Sequence, residues 1–167
     1  MRERLVVAAL AAIVAVASCS DDVGPTEVQN FTATLIKAPI GTPDTNSSTA
    51  TGAATLAVVG GAVVYRIDVS GITNVTVAHI HGPAAPGGSA GVIVNLCGTT
   101  QSGTPTSPPC ASGTVNGVLA AGVSSLTPAA GISFDRLLVL LRTDSAYVNV
   151  HTSTHPGGEI RGTVTKQ

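Results

Sequence analysis

All four histidines of this 167-residue chain fall in two short segments. The first is His79-Ile80-His81-Gly82-Pro83. The second runs from Tyr147-Val148-Asn149-Val150-His151-Thr152 into His155-Pro156-Gly157-Gly158-Glu159-Ile160-Arg161-Gly162. On a strand, successive side chains alternate faces, so His79 and His81 point one way and Ile80 the other. The same parity groups Tyr147, Asn149 and His151 on one face and pairs Glu159 with Arg161. Two chemistries fit this pattern. In the simpler one, Asn149, His151, Glu159 and Arg161 form a buried structural network, with Glu159 and Arg161 as an ion pair, because buried polar groups need partners. In the other, His79, His81 and His151, joined by His155 from the turn, offer three or four imidazoles to copper or zinc. No catalytic residue is indicated: the chain has neither a G-x-S-x-G elbow nor an H-E-x-x-H helix. A metal-dependent envelope oxidoreductase is left as a formal third class.

The elements that must position these residues are mostly short strands. Apolar residues recur with period two over 31–36, 51–59, 62–69, 75–81, 91–96, 113–119, 147–152 and 159–165, bounded by Gly, Pro, Asn or Thr-rich turns. Gly60-Gly61 suits a hairpin, and Pro156-Gly157-Gly158 a tight turn between the last two strands. Before that last pair the period changes. Ser133 is a plausible N-cap, Asp135 sits in the first turn, and apolar residues fall at 134, 137, 138 and 141, which predicts one short amphipathic helix. The expected fold is mainly β: an antiparallel, Greek-key-like β-sandwich with one short helix before the C-terminal hairpin, in a single domain over residues 30–167.

The first 29 residues carry an address. Arg2 and Arg4 precede thirteen uncharged residues, Leu5 to Ala17, too short at about 1.5 Å per residue to cross a core of about 30 Å. Val16-Ala17-Ser18-Cys19 has the form of a lipobox, so residues 1–18 are expected to be a lipoprotein signal peptide, Cys19 the lipidated residue and 19–29 a polar tether. Acyl chains then anchor the protein in a bilayer. Ser20 after the cysteine favours an outer membrane, with the domain extracytoplasmic on the bacterial cell envelope. Cys97 and Cys110 are left for each other, and an exported domain is where such a disulfide persists. The polar segment between them is a surface loop.

Composition narrows the partners. Without Arg2, Glu3 and Arg4 the chain carries a net charge of −2 and no basic stripe, which excludes nucleic acid. Two Tyr, two Phe and no Trp provide no aromatic platform for sugars or bases. The sequons at Asn30, Asn46 and Asn74 are expected by chance in a chain so rich in Ser and Thr.

Two motifs carry a family resemblance. Ala78-His-Ile-His-Gly-Pro83, followed far downstream by Tyr147-Val-Asn-Val-His-Thr152 and His155-Pro-Gly-Gly-Glu-Ile-Arg-Gly162, resembles the CHRD domain, named from the developmental protein chordin. Phe31 to Leu35, Thr51-Gly52, Gly91 to Leu96 and the Leu-rich segment before Tyr147 follow in the family's order. The resemblance covers roughly residues 30–165, and segment 97–110 looks like an insertion. It implies a domain more than an activity. The expected function is a lipid-anchored, non-catalytic binding or structural module, its partner an envelope or extracellular protein. The alternative is a copper- or zinc-binding protein; no cofactor is firmly implied.

Overall fold

The structure, a computed structural model, describes residues 28–39, 44–59, 62–98, 108–111, 113–124 and 131–167. The expected signal peptide, Cys19 and the expected tether up to residue 27 lie outside the described residues. So do Gly60-Gly61 and most of the loop between Cys97 and Cys110. No described helix is long and apolar enough to cross a membrane.

Nine described strands and one helix follow in the order β1 (Gln29–Lys37), β2 (Thr51–Val59), β3 (Ala62–Thr73), β4 (Val75–His81), β5 (Val92–Gly98), β6 (Thr114–Ser124), α1 (Phe134–Arg142), β7 (Tyr147–Thr152), β8 (Ile160–Thr163) and β9 (Thr165–Lys166). The strands pair antiparallel in the order β5-β4-β7-β8-β1-β2-β3-β6, with β9 also on β1. The expected antiparallel, mainly β architecture is present, and the sheet curls into a nearly closed, flattened barrel. Strand β1 joins its two halves: Phe31 and Thr32 pair with β9, whereas Ile36 and Lys37 pair with β8. Gly162 makes that junction possible, since a Cβ there would lie 2.0 Å from the Thr34 carbonyl oxygen.

Period-two alternation fills the core. Phe31, Ala33 and Leu35 of β1, Ala54, Leu56 and Val58 of β2, and Val63, Tyr65, Ile67 and Val69 of β3 all face inward. Burial at about 25 cal/mol per Å² of apolar surface is the main force holding these strands in register. Strand β3 runs past the expected Val69 to Thr73, and Asn74, at φ +54°, turns the chain directly into β4 in the other half. The end strands β5 and β6 are tied by other means. Cys97 and Cys110 form the expected disulfide, which contributes about 3 kcal/mol for a loop of this size. The Gly98 amide donates to the Pro108 carbonyl, and the Tyr65 hydroxyl to the Leu96 carbonyl.

Helix α1 forms as predicted. Ser133 Oγ accepts from the Arg136 amide at 3.2 Å, Asp135 lies in the first turn, and Arg142 in the last. Leu137, Leu140 and Leu141 enter the core. The helix packs beside β9 and leads directly into β7.

Candidate metal centre

Strands β4 and β7 are central in their half of the sheet. Their pairing sets Ala78 opposite Val150 and Ile80 opposite Val148, all completely buried against the core. The other parity brings His79 opposite Asn149, His81 opposite Tyr147 and Val77 opposite His151. Strand β8 adds Arg161 opposite Asn149. The polar row foreseen on the hairpin therefore continues onto β4, a join that needs two strands sixty-odd residues apart to pair.

Segment 82–91 folds over this row. The Gly82 amide donates to the Gly91 carbonyl and the Ala84 amide to the Ser145 carbonyl, closing the loop at its base. Three contacts hold its far side down. His81 Nδ1 donates to the Ala90 carbonyl at 2.9 Å, the Tyr147 hydroxyl bonds the Ala90 backbone, and Arg161 Nη2 donates to the Gly87 carbonyl at 2.6 Å. Tyr147 is stacked on His81 at 4.8 Å between centroids, and the Arg161 guanidinium lies 5.1 Å from the same ring.

Under that cover His79, His81 and His151 converge, with one ring nitrogen from each within 4.8 Å of the others. His79 and His81 are buried, His151 half-buried. The nitrogens divide into used and free. His81 Nδ1 is bonded to Ala90, and His151 Nδ1 donates to the Pro156 carbonyl at 2.8 Å. Each proton so placed leaves Nε2 with its lone pair. His79 Nδ1 and His81 Nε2 are buried without a partner, and so is Asn149 Oδ1. Asn149 Nδ2 donates to His151 Nε2 at 3.2 Å. Gly158, at φ +121°, allows the turn to lie against that amide, since a Cβ there would sit 2.3 Å from Asn149 Oδ1. Gly157 uses no such freedom, so of the two permissive positions expected in the turn only one is exploited.

Burial disfavours the charged imidazolium at all three positions. Desolvation, reinforced by His151 and His81, lowers the His79 pKa to about 3. Desolvation also lowers His81 and His151, partly offset by their bonds to Ala90 and Pro156. The rings are thus neutral at pH 7, the form in which imidazole binds metals. Protein metals ligated by histidine commonly have the other ring N–H on a backbone carbonyl, as at His81 and His151. At 2.0–2.1 Å from an ion the three nitrogens would stand about 3.5 Å apart, so loading would draw the rings together by up to about 1.3 Å.

His155 lies apart from this group. Its Nδ1 is 3.1 Å from Glu159 Oε2, which also accepts from Thr152 Oγ1 at 2.6 Å, while Ser48 Oγ donates to Oε1 at 2.7 Å. Asn46 Nδ2 completes the cluster by donating to the Glu159 and Ala38 carbonyls. The expected Glu159–Arg161 ion pair does not form: Glu159 belongs to this second cluster and Arg161 to the first. Strand parity does not reach Glu159, because β8 begins only at Ile160 and Glu159 sits in a bend, where alternation no longer holds. Asn46 and Ser48 were missed as partners; their only sequence signal was a Ser/Thr/Asn-rich loop, which marks a turn and not its contacts.

A family model described as the CHRD domain matches residues 31–164. No curated protein matches the chain, and neither does any solved structure.

Proposed function

This chain belongs to the CHRD-domain family, and from that premise we propose that it is a non-catalytic binding module of the cell envelope which holds one copper or zinc ion between His79, His81 and His151. The supporting observation is at the ring nitrogens: His81 and His151 spend Nδ1 on backbone carbonyls, while His79 Nδ1 and His81 Nε2 are buried without a partner and His151 Nε2 accepts from the Asn149 amide. An unpaired buried polar atom costs about 1–3 kcal/mol, so a purely structural network would be expected to spend them. A bound ion would remove that cost at His79 and His81. The anchor in this reading is the acylated Cys19, with the outer membrane as its address and an envelope protein as a further partner.

The test is metal content and titration of the untagged full-length protein in detergent. One equivalent of copper or zinc, lost in the His79→Ala/His81→Ala double variant, is expected. No binding at micromolar metal would return the histidines to a structural role. Separately, Cys19→Ser should move the protein from the membrane to the soluble fraction, and unchanged fractionation would remove the anchor from the proposal.

A further inference from the structure

The three-histidine cluster differs from an ordinary zinc site in charge and in access. All its donors are neutral imidazoles; among the described residues no carboxylate or thiolate joins the group. Glu159 is committed to Thr152, Ser48 and His155, and Cys97 and Cys110 to each other. The charged group nearest the row is itself a cation, Arg161, on the Tyr147 ring that stacks with His81. Access is restricted at two of the three rings, His151 being half-buried. His79 Nδ1 and His81 Nε2 are shut off from solvent, and loop 82–91 is pinned over them through Ala90 and Gly87.

These two properties select among ions. The cost of taking an ion out of water grows with the square of its charge, so a divalent ion is penalised about four times as heavily as a monovalent one of similar size. An anionic ligand normally offsets that penalty. Three-histidine zinc sites instead complete their tetrahedron with a water or hydroxide, which needs a solvent path to the metal. Here no anion is provided, and solvent reaches only the half-buried His151, while His79 Nδ1 and His81 Nε2 are sealed. Imidazole suits copper, and a monovalent d¹⁰ copper ion is content with three donors in a dry pocket. Resting on the metal reading above, we infer that the ion held by His79, His81 and His151 is Cu(I), bound by three imidazoles and no fourth ligand.

Asn149 makes the inference testable in both directions. Its amide is buried against His151 and is close in size and shape to a carboxylate. Asn149→Asp supplies the missing negative charge with little change in packing, and should swing the preference towards Zn(II).

The experiment is an anaerobic titration of the untagged full-length protein in detergent, with Cu(I) delivered in competition with bicinchoninate and Zn(II) titrated in parallel. The wild-type protein should take one Cu(I) and bind it more than about tenfold more tightly than Zn(II), a difference of about 1.4 kcal/mol or more. In Asn149→Asp that ratio should fall by at least about tenfold. X-ray absorption on the Cu(I)-loaded wild-type protein, which needs no variant to fold, should count three nitrogen neighbours. Zn(II) affinity within about tenfold of Cu(I), or a fourth light-atom ligand, would overturn the Cu(I) inference and leave the metal site standing. An unchanged ratio in a folded Asn149→Asp protein would overturn the charge argument. Binding of neither ion would overturn the metal site itself.

Discussion

The turn between β7 and β8 carries two polar clusters built from similar materials. Around Glu159, the carboxylate gathers Thr152, Ser48 and His155, and Asn46 bonds the adjacent carbonyls. None of that cluster's buried side-chain atoms lacks a partner. Around His79, His81 and His151, three buried atoms do. Both clusters bear the cost of burial, but only the first recovers it internally. That difference separates a polar network that fastens loops from one that leaves buried polar atoms unpaired.

The comparison can be broken most directly at Glu159. Glu159→Ala removes three donors' acceptor at once and should cost about 4 kcal/mol. Thermal melts should fall by roughly 10 °C or more, equally with and without metal. A drop confined to the metal-loaded form would mean that the two clusters are one.

Gly158→Ala attacks the boundary between them, because the new Cβ meets Asn149 in a backbone conformation that disfavours alanine. A loss of about 2 kcal/mol is expected, together with weaker metal binding, since Asn149 abuts His151. Full metal affinity in that variant would show that the turn does not position the ligand set.

Acid should separate the clusters by pH. The histidines have folded pKa values below their ordinary 6.5, so as pH falls through that value the unfolded chain takes up protons that the folded one refuses. Metal-free stability is therefore full above about 6.5 and declines as pH drops towards the His79 value of about 3. Burial alone would raise the Glu159 pKa, but hydrogen bonds from Thr152, Ser48 and His155 outweigh it and hold it below 4.5. Its contribution is present above 4.5 and is lost only at lower pH. Melts from pH 8 to 3 should decline in the first window for the wild-type protein and less so for a variant without His79. A flat profile down to 4.5 would contradict a dry, neutral cluster.

The smallest effect sharpens the contrast. His79→Leu replaces an unsatisfied buried ring with an apolar side chain of similar bulk, so the metal-free melt should change by less than about 1 kcal/mol. Its metal-dependent rise in melting temperature should disappear. A large metal-free loss would make His79 a structural residue like Glu159.

Much of this molecule was legible locally. The strands at 51–59 and 75–81 and the helix after Ser133 appear where alternation and capping place them, because both are properties of neighbouring residues. The His79–His81 pair was legible for the same reason. His155 was not: spacing put it beside His151, whereas the turn carries it to Glu159. Nor was the cover over the site, since Gly82 to Gly91 has turn composition and nothing that names Ala90 and Gly87 as anchors.

From the chain alone come the strand periodicity, the cysteine pairing, the family resemblance and the clustering of histidines in two segments. Only the tertiary structure decided that His151 meets His79 and His81. That contact needs β4 to lie between β5 and β7, with a crossover through β6 and α1 intervening. Strand parity is set by the backbone of each residue, but strand order is set by which faces bury together. The bend at Glu159, which sends one carboxylate away from the histidine cluster, belongs to the second kind of decision.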